Sequence, residues 1–479
     1  MCIRDRCAAP GECNSGFCVD GVCCAGACDG TCEACDGSGT CSPEAPGTDP
    51  DGDCSEGVCD GAGVCATGAH RWSKRFGAAG ADELTGLSSG PSGIALIGTY
   101  QQAPDFGDGP LPAPSNARGG FAVKLDGNGD SLWGRGVVDA NSIGSLDGAL
   151  AGNGGIVVGG EGTDVWDFGG PPIDHGLLGA GVLGAFSSSG GHAYTQDMQG
   201  YLSAVWRVEP SSDGGVVVVG TTLGDMAVLG GQSIVNTFFV MKLDSSGTSS
   251  WVAETSDGAP EAVDIAETAT GDVLVVGSTG GMTAFDGVAV SGGPDASFLI
   301  RLSPSGAVTN IATFGGPNAN VTSVAAAGDD AVIGGGFSST VDFGGPTLTA
   351  QSGEDLFVAR LDGSGSHVWS KRYGGSGDQR ATGLASRDGA VVIAGENGGS
   401  LDFGVGSVVE GGGFLVKFHE SGEPVWTRDL GGPVVEPRVE LAADGSVVLG
   451  ASFSGNVDLG GGVLSAAGTS DVCVGAYDP

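Results

Sequence analysis

Lysine is nearly absent from this chain, with five in 479 residues, and basic residues of both kinds number 19 against 57 acidic ones. The resulting formal charge of -38 repels phosphate backbones and anionic lipid, so neither nucleic acid nor a membrane surface is expected as a partner. No apolar run approaches the ~20 residues of a membrane-spanning helix. Helical periodicity is almost missing, and the five histidines, at 70, 175, 192, 367 and 419, show no metal-ligand spacing. The start, Met1-Cys2-Ile3-Arg4-Asp5-Arg6, lacks the apolar core of a signal peptide. It reads as translated sequencing-adaptor read-through, so residues 1–6 are set aside, the natural N-terminus is expected to be missing, and the absent signal does not point to the cytoplasm.

Glycine and cysteine are what the chain has in excess. Its 95 glycines do not fall at every third position, which excludes collagen. They flank short runs of Val, Ile, Leu and Phe, the pattern of many tight turns between short strands. The class is all-β. Thirteen of the 14 cysteines lie at or before Cys65. With Cys2 set aside, twelve remain between residues 7 and 65: Cys7, Cys13, Cys18, Cys23, Cys24, Cys28, Cys32, Cys35, Cys41, Cys54, Cys59 and Cys65. So little apolar material lies between them that cross-links must supply the stability, which requires an oxidising compartment. Zinc is the rival, but Cys32-Glu33-Ala34-Cys35 has no clear second CxxC and no His precedes His70. The run Cys13-Asn14-Ser15-Gly16-Phe17-Cys18-Val19-Asp20-Gly21-Val22-Cys23-Cys24 resembles cysteine-rich modules of myxobacterial and related surface proteins. That resemblance implies an extracellular or cell-surface location.

From Trp72 onward, after a linker at 66–71, the chain repeats itself. Trp72-Ser73-Lys74-Arg75-Phe76-Gly77 returns as Trp369-Ser370-Lys371-Arg372-Tyr373-Gly374, and the equivalent anchors are Trp133, Tyr194, Trp251, Asn310 and Trp426, spaced 61, 61, 57, 59, 59 and 57 residues. A Gly- or Asp-led apolar run follows each anchor by 19 to 21 residues, at 93, 154, 214, 271, 330, 389 and 445. An alternating strand, such as Phe121-Ala122-Val123-Lys124-Leu125-Asp126, precedes the next anchor. Its alternation predicts one inward face and one more polar face. Each unit therefore holds about four short strands, the content of a propeller blade, and Asp-Phe-Gly recurs in the variable loop between the second and third (Asp105, Asp167, Asp342, Asp402).

Seven anchors make seven units. The last stops at Pro479 before any Trp strand, whereas Trp72 is a Trp strand with no blade before it. The expectation is a closed seven-bladed β-propeller of four-stranded antiparallel blades over 72–479, with strand 72–77 completing the last blade and removing the open edges. Units of this form resemble the β-propeller repeats of bacterial surface proteins known as SBBP repeats. The resemblance implies fold and an exported setting, and brings no catalytic motif. The Gly-x-x-x-Trp hairpins (Gly129 to Trp133, Gly247 to Trp251, Gly365 to Trp369) are also similar to those of quinoprotein propellers, whose cofactor contacts have no match here.

The repeated aromatics read as blade packing, and four copies of Asp-Phe-Gly exclude the kinase metal motif. Sugar stacking would more naturally use unrepeated aromatics such as Trp166, Tyr201 or Trp206. Asp126, Asn128 and Asp130 alternate as in calcium loops, but Val137 stands where a twelfth-position Glu would be. A β-turn is preferred there, with calcium the one cofactor left open. Asp49-Pro50-Asp51-Gly52-Asp53 has similar spacing. Cys473 occupies the strand position of Phe357 and is expected to be buried. Residues just before the innermost strands should gather at one mouth of the channel: Glu83, Trp206, Arg207, Glu261, Arg380 and Arg438 are the candidate ligand contacts, with Asp82, Asp264, Gln379 and Glu436 beside them.

No convergent acid, base and nucleophile is visible. The leading expectation is an exported, monomeric, non-enzymatic propeller that binds a protein or glycan through one face. The alternatives are a polysaccharide lyase or glycoside hydrolase using mouth carboxylates such as Glu83 with Glu261 or Glu436, and a structural cell-surface component.

Overall fold

The computed structural model describes residues 68–479 apart from 177–178, 199–202, 223–226, 236–237, 256, 259, 294, 316–318 and 406–408, and before that residues 13, 15, 17–19, 22–25, 28, 32–35, 40–44, 58–59 and 65–66. No helix among the described residues is long and apolar enough to cross a membrane.

Seven antiparallel sheets follow one another around a ring. Their innermost strands are Glu83–Gly90, Ile143–Leu150, Ala204–Pro210, Glu261–Glu267, Ala319–Ala327, Gln379–Arg387 and Val434–Leu441. Within each blade the chain runs outward through three more strands, ending on the one that carries the Trp-type anchor. The seventh blade takes its outer strand from the other end of the chain: His70–Phe76 pairs with Asp471–Tyr477, Ala476 opposite Trp72 and Val472 opposite Phe76. Six sheets have four strands. The first is widened to six by the hairpin Val165–Trp166 and Ile173–Asp174, which adds to the outer strand Ser131–Ala140. In four other blades the connection between second and third strands is likewise a short hairpin, as at Thr340–Val341 with Leu348–Thr349.

The anchors lock one blade to the next. In six blades the anchor side chain lies over the tight turn that joins the third and outer strands of the following blade; Trp426 instead lies against Gly68, just ahead of the strand that closes the seventh blade. The indole N–H of Trp72 donates to Gly127 O (3.0 Å), that of Trp133 to Ser188 O (3.1 Å), that of Trp251 to Pro304 O (3.0 Å) and that of Trp369 to Glu420 O (2.9 Å). Asn310 makes the same bond to Ser364 O through its amide (2.7 Å), which explains why a polar residue substitutes at this position. The turn glycine is required twice over. Gly306 has φ +85°, and a Cβ there would lie 2.6 Å from the Trp251 ring. Replacing Gly306 by Ala should therefore cost about 1–3 kcal/mol, combining left-handed strain with overpacking, read as a lower urea midpoint at unchanged slope.

The alternating third strands depart from the sequence expectation. Phe238–Leu243 is buried at every position, and Lys124, Lys242 and Arg301 are buried too. Blades pack face to face around the ring, so neither face of a third strand meets water. The cations end on partners at the blade interfaces: Lys124 Nζ on Gly154 O (2.5 Å), Lys242 Nζ on Asp213 and Glu267 (both 3.1 Å), and Arg301 on Asp272 (2.8 Å) and on the Asp329 carbonyl.

In the N-terminal segment Cys13–Cys23, Cys24–Cys35, Cys28–Cys41 and Cys32–Cys59 are disulfide pairs. Cys24, Cys28 and Cys35 cluster as a metal site would, but two adjacent disulfides account for the cluster. Cys7 and Cys54, the side chains of Cys18 and Cys65, and the acidic run 49–53 lie outside the described residues.

Candidate functional site

Each innermost strand is irregular near its start, where one or two residues are left out of the pairing with the second strand: between Leu84 and Gly86, Ile143 and Ser145, Val205 and Arg207, Ala262 and Asp264, Val321 and Ser323, Ala381 and Gly383, and Val435 and Arg438. Such bulges re-aim side chains and sharpen twist. Here they also connect neighbouring inner strands. Ser145 Oγ donates to Val205 O (2.8 Å), Arg207 Nε to Val263 O (2.6 Å), Thr322 Oγ1 to Ala381 O (2.8 Å) and Thr382 Oγ1 to Pro437 O (2.7 Å).

Below the bulges lies a cavity of about 220 Å³ on the ring axis, lined chiefly by polar groups of the inner strands. The pairing register orders them in two layers. The residues opposite Ile97, Gly159, Val219, Val276, Gly334, Ala394 and Gly450 form the first layer, and in ring order they are Gly86, Asp147, Arg207, Asp264, Ser323, Gly383 and Arg438. Two residues further along the same strands, and so on the same strand faces, come Ser88, Ala149, Glu209, Ala266, Ala325, Ala385 and Glu440. Two arginines and two aspartates thus stand above two glutamates, and the remaining ring positions are small.

Each charge in this cluster answers to its neighbours. Asp147 Oδ2 accepts the Val208 N–H (3.0 Å) and Asp264 Oδ2 the Val324 N–H (2.9 Å), tying each carboxylate to the next blade. Burial raises both carboxyls, Asp264 to about 6, against the downward pull of Arg207 and Arg438. Arg207 also donates through Nη1 to Trp206 O (3.0 Å). Arg438 is different: it has no hydrogen bond and no ion pair within 4.0 Å among the described residues, and its Nε is buried without a partner. Asp147, Asp264 and Glu436 reach it only electrostatically. Glu209 and Glu440 keep some surface on the cavity yet lie deep in the ring. Burial first, then the neighbouring carboxylates, push both well above the carboxylate range; Glu440 acts on Glu209, and Asp264 and Asp147 act on both, while Arg387 pulls Glu440 the other way.

A carboxyl with a raised folded-state pKa stabilises the fold fully only below its unfolded value, and the contribution fades as pH rises through the folded value. Stability of this protein is therefore expected to fall as pH rises from the ordinary Glu value of 4.5 into the neutral and alkaline range. Glu209→Gln/Glu440→Gln should flatten that part of the curve in urea titrations run at stepped pH. An unchanged slope would show that the pair ionises freely.

Of the mouth residues singled out from sequence, Arg207, Arg380 and Arg438 border this one cavity, as do Asp264 and Glu436. Arg380 sits on the rim, held by Glu396 through Nη2 (2.7 Å) and Nε (3.1 Å), while the other Glu396 oxygen accepts the Glu436 N–H (2.9 Å). Glu83, Trp206 and Glu261 are not brought into it. Glu83 pairs with Arg118 on the third strand of its own blade (2.8 Å), Trp206 is half-buried at the bulge, and Glu261 is exposed at its strand start. Asp82 and Gln379 are wholly buried, Asp82 capping the Ala78 N–H (2.6 Å) and Gln379 bonding Ser376 O (2.8 Å) and Asn397 (3.1 Å). Trp166 is fully buried, stacked near Phe168, so it offers no stacking surface, and Tyr201 lies outside the described residues.

Asp147, Glu209 and Glu440 were not singled out, because a scan for residues just ahead of the strands stops short of residues inside them. A signal was present: Arg-Val-Glu occurs at 207–209 and again at 438–440, charge at both of two alternate positions where each other unit has at most one.

The repeated motifs have local duties. Asp126 Oδ1 accepts the N–H groups of Asn128 (2.8 Å) and Asp130 (2.9 Å), and Asp130 pairs with Lys74 (2.5 Å). Asp244 and Asp362 cap their own turns in the same way. In the Asp-Phe-Gly copies the Asp caps the Gly N–H two residues on (2.7 Å at Asp105, Asp167, Asp342 and Asp402), and the Phe is buried. Cys473 is fully buried opposite Ala451, and burial pushes its thiol up to about 12.

No family model matches the chain, and no curated protein matches it. Among solved structures it is similar to a streptogramin B lyase (12% identity over 85% of this chain and 97% of the other, TM-score 0.44). It is also similar to the WD40 domain of Neurospora crassa Pan2 (8%, 70% and 90%, TM-score 0.36) and to a protein of unknown function from Dyadobacter fermentans DSM 18053 (12%, 71% and 97%, TM-score 0.36). Identities this low say nothing about what the present chain binds.

Proposed function

We propose that this protein is an exported binding module that takes a protein or glycan ligand through the face of the ring onto which the central cavity opens. The observation that carries the reading is where the repeat breaks. Anchor, turn glycine and Asp-Phe-Gly serve the same packing role wherever they recur, whereas the inner-strand layers change charge from blade to blade inside a concave polar site. Variation confined to a rigid, preformed concavity is what ligand recognition needs. The disulfides support an oxidising, extracellular setting.

The test is a glycan and peptide array probed with the whole chain, followed by assays for new reducing ends and unsaturated products. Binding without products is expected, falling at least tenfold in Arg438→Gln and unchanged in Asp126→Asn, a turn substitution remote from the cavity. Silence on every array would overturn the reading. A lytic reading is favoured by the two glutamates that line the cavity together, since burial and neighbouring carboxyls push Glu209 and Glu440 upward, the direction a general acid needs. Product formation abolished by Glu440→Gln would put that reading in place of simple binding.

A further inference from the structure

We infer that the cavity on the ring axis binds a small zwitterion of the amino-acid class, its carboxylate at Arg438 and Arg207 and its ammonium at Glu209 and Glu440. This rests on the reading of the cavity as the ligand site and places in it a small molecule, free or as the end of a longer ligand. Arg438 carries the anion half of the argument. Ten of the 17 described Lys and Arg residues stand within 4.0 Å of a carboxylate. Arg438 does not, and neither does Arg207; what sets Arg438 apart is that its buried Nε has no acceptor among the described residues, in a cavity lined by Asp147, Glu209, Asp264, Glu436 and Glu440. A buried guanidinium nitrogen left without an acceptor is costly, and a planar carboxylate is the group that fits the fork.

The cation half comes from the layer below. Glu209 and Glu440 follow Arg207 and Arg438 by two residues on the same strands, about 6.5–7 Å along the chain. Burial and their carboxyl neighbours disfavour charge on these glutamates, no Lys or Arg forms an ion pair with either of them among the described residues, and a cation beside them would relieve both. A lone anion entering from the mouth would meet the arginines but leave the glutamates facing one another. A lone cation would do the reverse. One molecule bearing both groups on a short carbon frame satisfies both layers, and Leu87, Ile265 and Leu384 supply apolar wall for the frame. The volume of about 220 Å³ suits a single small molecule or a chain end and is too small for a folded partner's loop.

The groups facing Glu209 and Glu440 are Asp147, Asp264, Glu267 and Arg387, together with each other. An ammonium beside the glutamates favours their charged forms against the upward push of burial, so affinity should rise with pH until the ligand's own amine titrates.

The experiment uses the whole chain and a ladder of ω-amino acids: glycine, β-alanine, γ-aminobutyric acid and δ-aminovaleric acid. Each is run beside the amine and the carboxylic acid of the same length, by calorimetric titration and thermal shift. At least one ladder member should bind at least tenfold tighter than both analogues, with proton release seen as a buffer-dependent heat. Arg438→Gln and Glu440→Gln should each weaken it at least tenfold, and the wild-type analogue comparison decides the matter even if a variant does not fold. Equal binding of the plain acid or the plain amine would overturn the zwitterion, as would no binding by the ladder. If an array ligand is then lost in Arg438→Gln but no ladder member competes with it, the inference falls while the mouth reading stands. If neither array nor ladder binds, both fall.

Discussion

A chain starting at residue 78 will lose cooperative unfolding, whereas one starting at residue 67 will keep it. The strand His70–Phe76 is the only link that turns the seventh blade into a four-stranded sheet, and it comes from the opposite end of the chain. Without it the strand Asp471–Tyr477, buried along its whole length, becomes an open edge. Tyr477, Val474 and Cys473 then face water, Trp72 no longer covers the turn at Gly129, and Asp471 remains with no Arg75. An apolar edge strand of that kind is a template for aggregation. The measurement is scanning calorimetry with size-exclusion chromatography on both truncations. Addition of the heptapeptide His-Arg-Trp-Ser-Lys-Arg-Phe should recover part of the transition in the shorter chain. A shorter chain that melts cooperatively within a few degrees of the longer one would show that the ring does not depend on its closure.

Arg372→Ala will destabilise the protein by about 3–5 kcal/mol, the usual cost of leaving one member of a buried pair alone. Asp355 opens the third strand of the fifth blade and is fully buried. Its Oδ2 accepts Arg372 Nη1 (2.5 Å) and the Gln351 N–H (2.9 Å), and its Oδ1 has no partner. Gly374 is bare because a Cβ there would lie 2.3 Å from the carboxyl. Removing the guanidinium leaves the buried carboxylate without the cation that pairs with it. Asp355→Asn in the same chain should recover most of the loss, since a neutral amide carries a far smaller desolvation penalty. The check is a double-mutant cycle by urea denaturation. A loss under 1 kcal/mol in the single variant would mean that the pair contributes little to stability. The same pair recurs as Arg75 and Asp471, so Arg75→Ala should cost a similar amount, and the two losses should add because the sites share no partners.

These two results test the part of the molecule most legible in the residues. Trp72-Ser73-Lys74-Arg75-Phe76-Gly77 and Trp369-Ser370-Lys371-Arg372-Tyr373-Gly374 are alike because both must supply an anchor for the next blade's turn, an Arg for a buried Asp and a Gly that clears it. Repetition made the class of fold readable, since identical packing duties select identical residues. The third strands were misjudged for the converse reason. Alternation along Phe121 to Leu125 looked like one dry and one wet face, but a propeller dries both, and the buried Lys124 ends on a neighbouring blade's carbonyl.

The cavity was half legible. Arg207, Arg380 and Arg438 could be placed near one mouth by counting from the repeat, whereas Glu83 and Glu261, at similar counts, point elsewhere. Arg207 and Arg438 follow their bulges, and one unpaired residue changes which side of a strand the following side chains occupy; Glu83, Glu261 and Arg380 precede theirs, and of these three Arg380, held by Glu396, borders the cavity. The bulge is a property of how seven twisted inner strands crowd around an axis, and the local residues at the seven sites share no motif.

What the amino-acid sequence determined by itself was all that recurs: the all-β class, seven units and a disulfide-rich segment ahead of them, because periodic contacts leave a periodic imprint. What only the tertiary structure decided is what occurs once, where strands distant in sequence meet. Arg207 and Arg438 lie 231 residues apart and share a cavity with Asp147, Asp264, Glu209 and Glu440 because ring closure places their blades around one axis, and no local pattern records the distance across a ring.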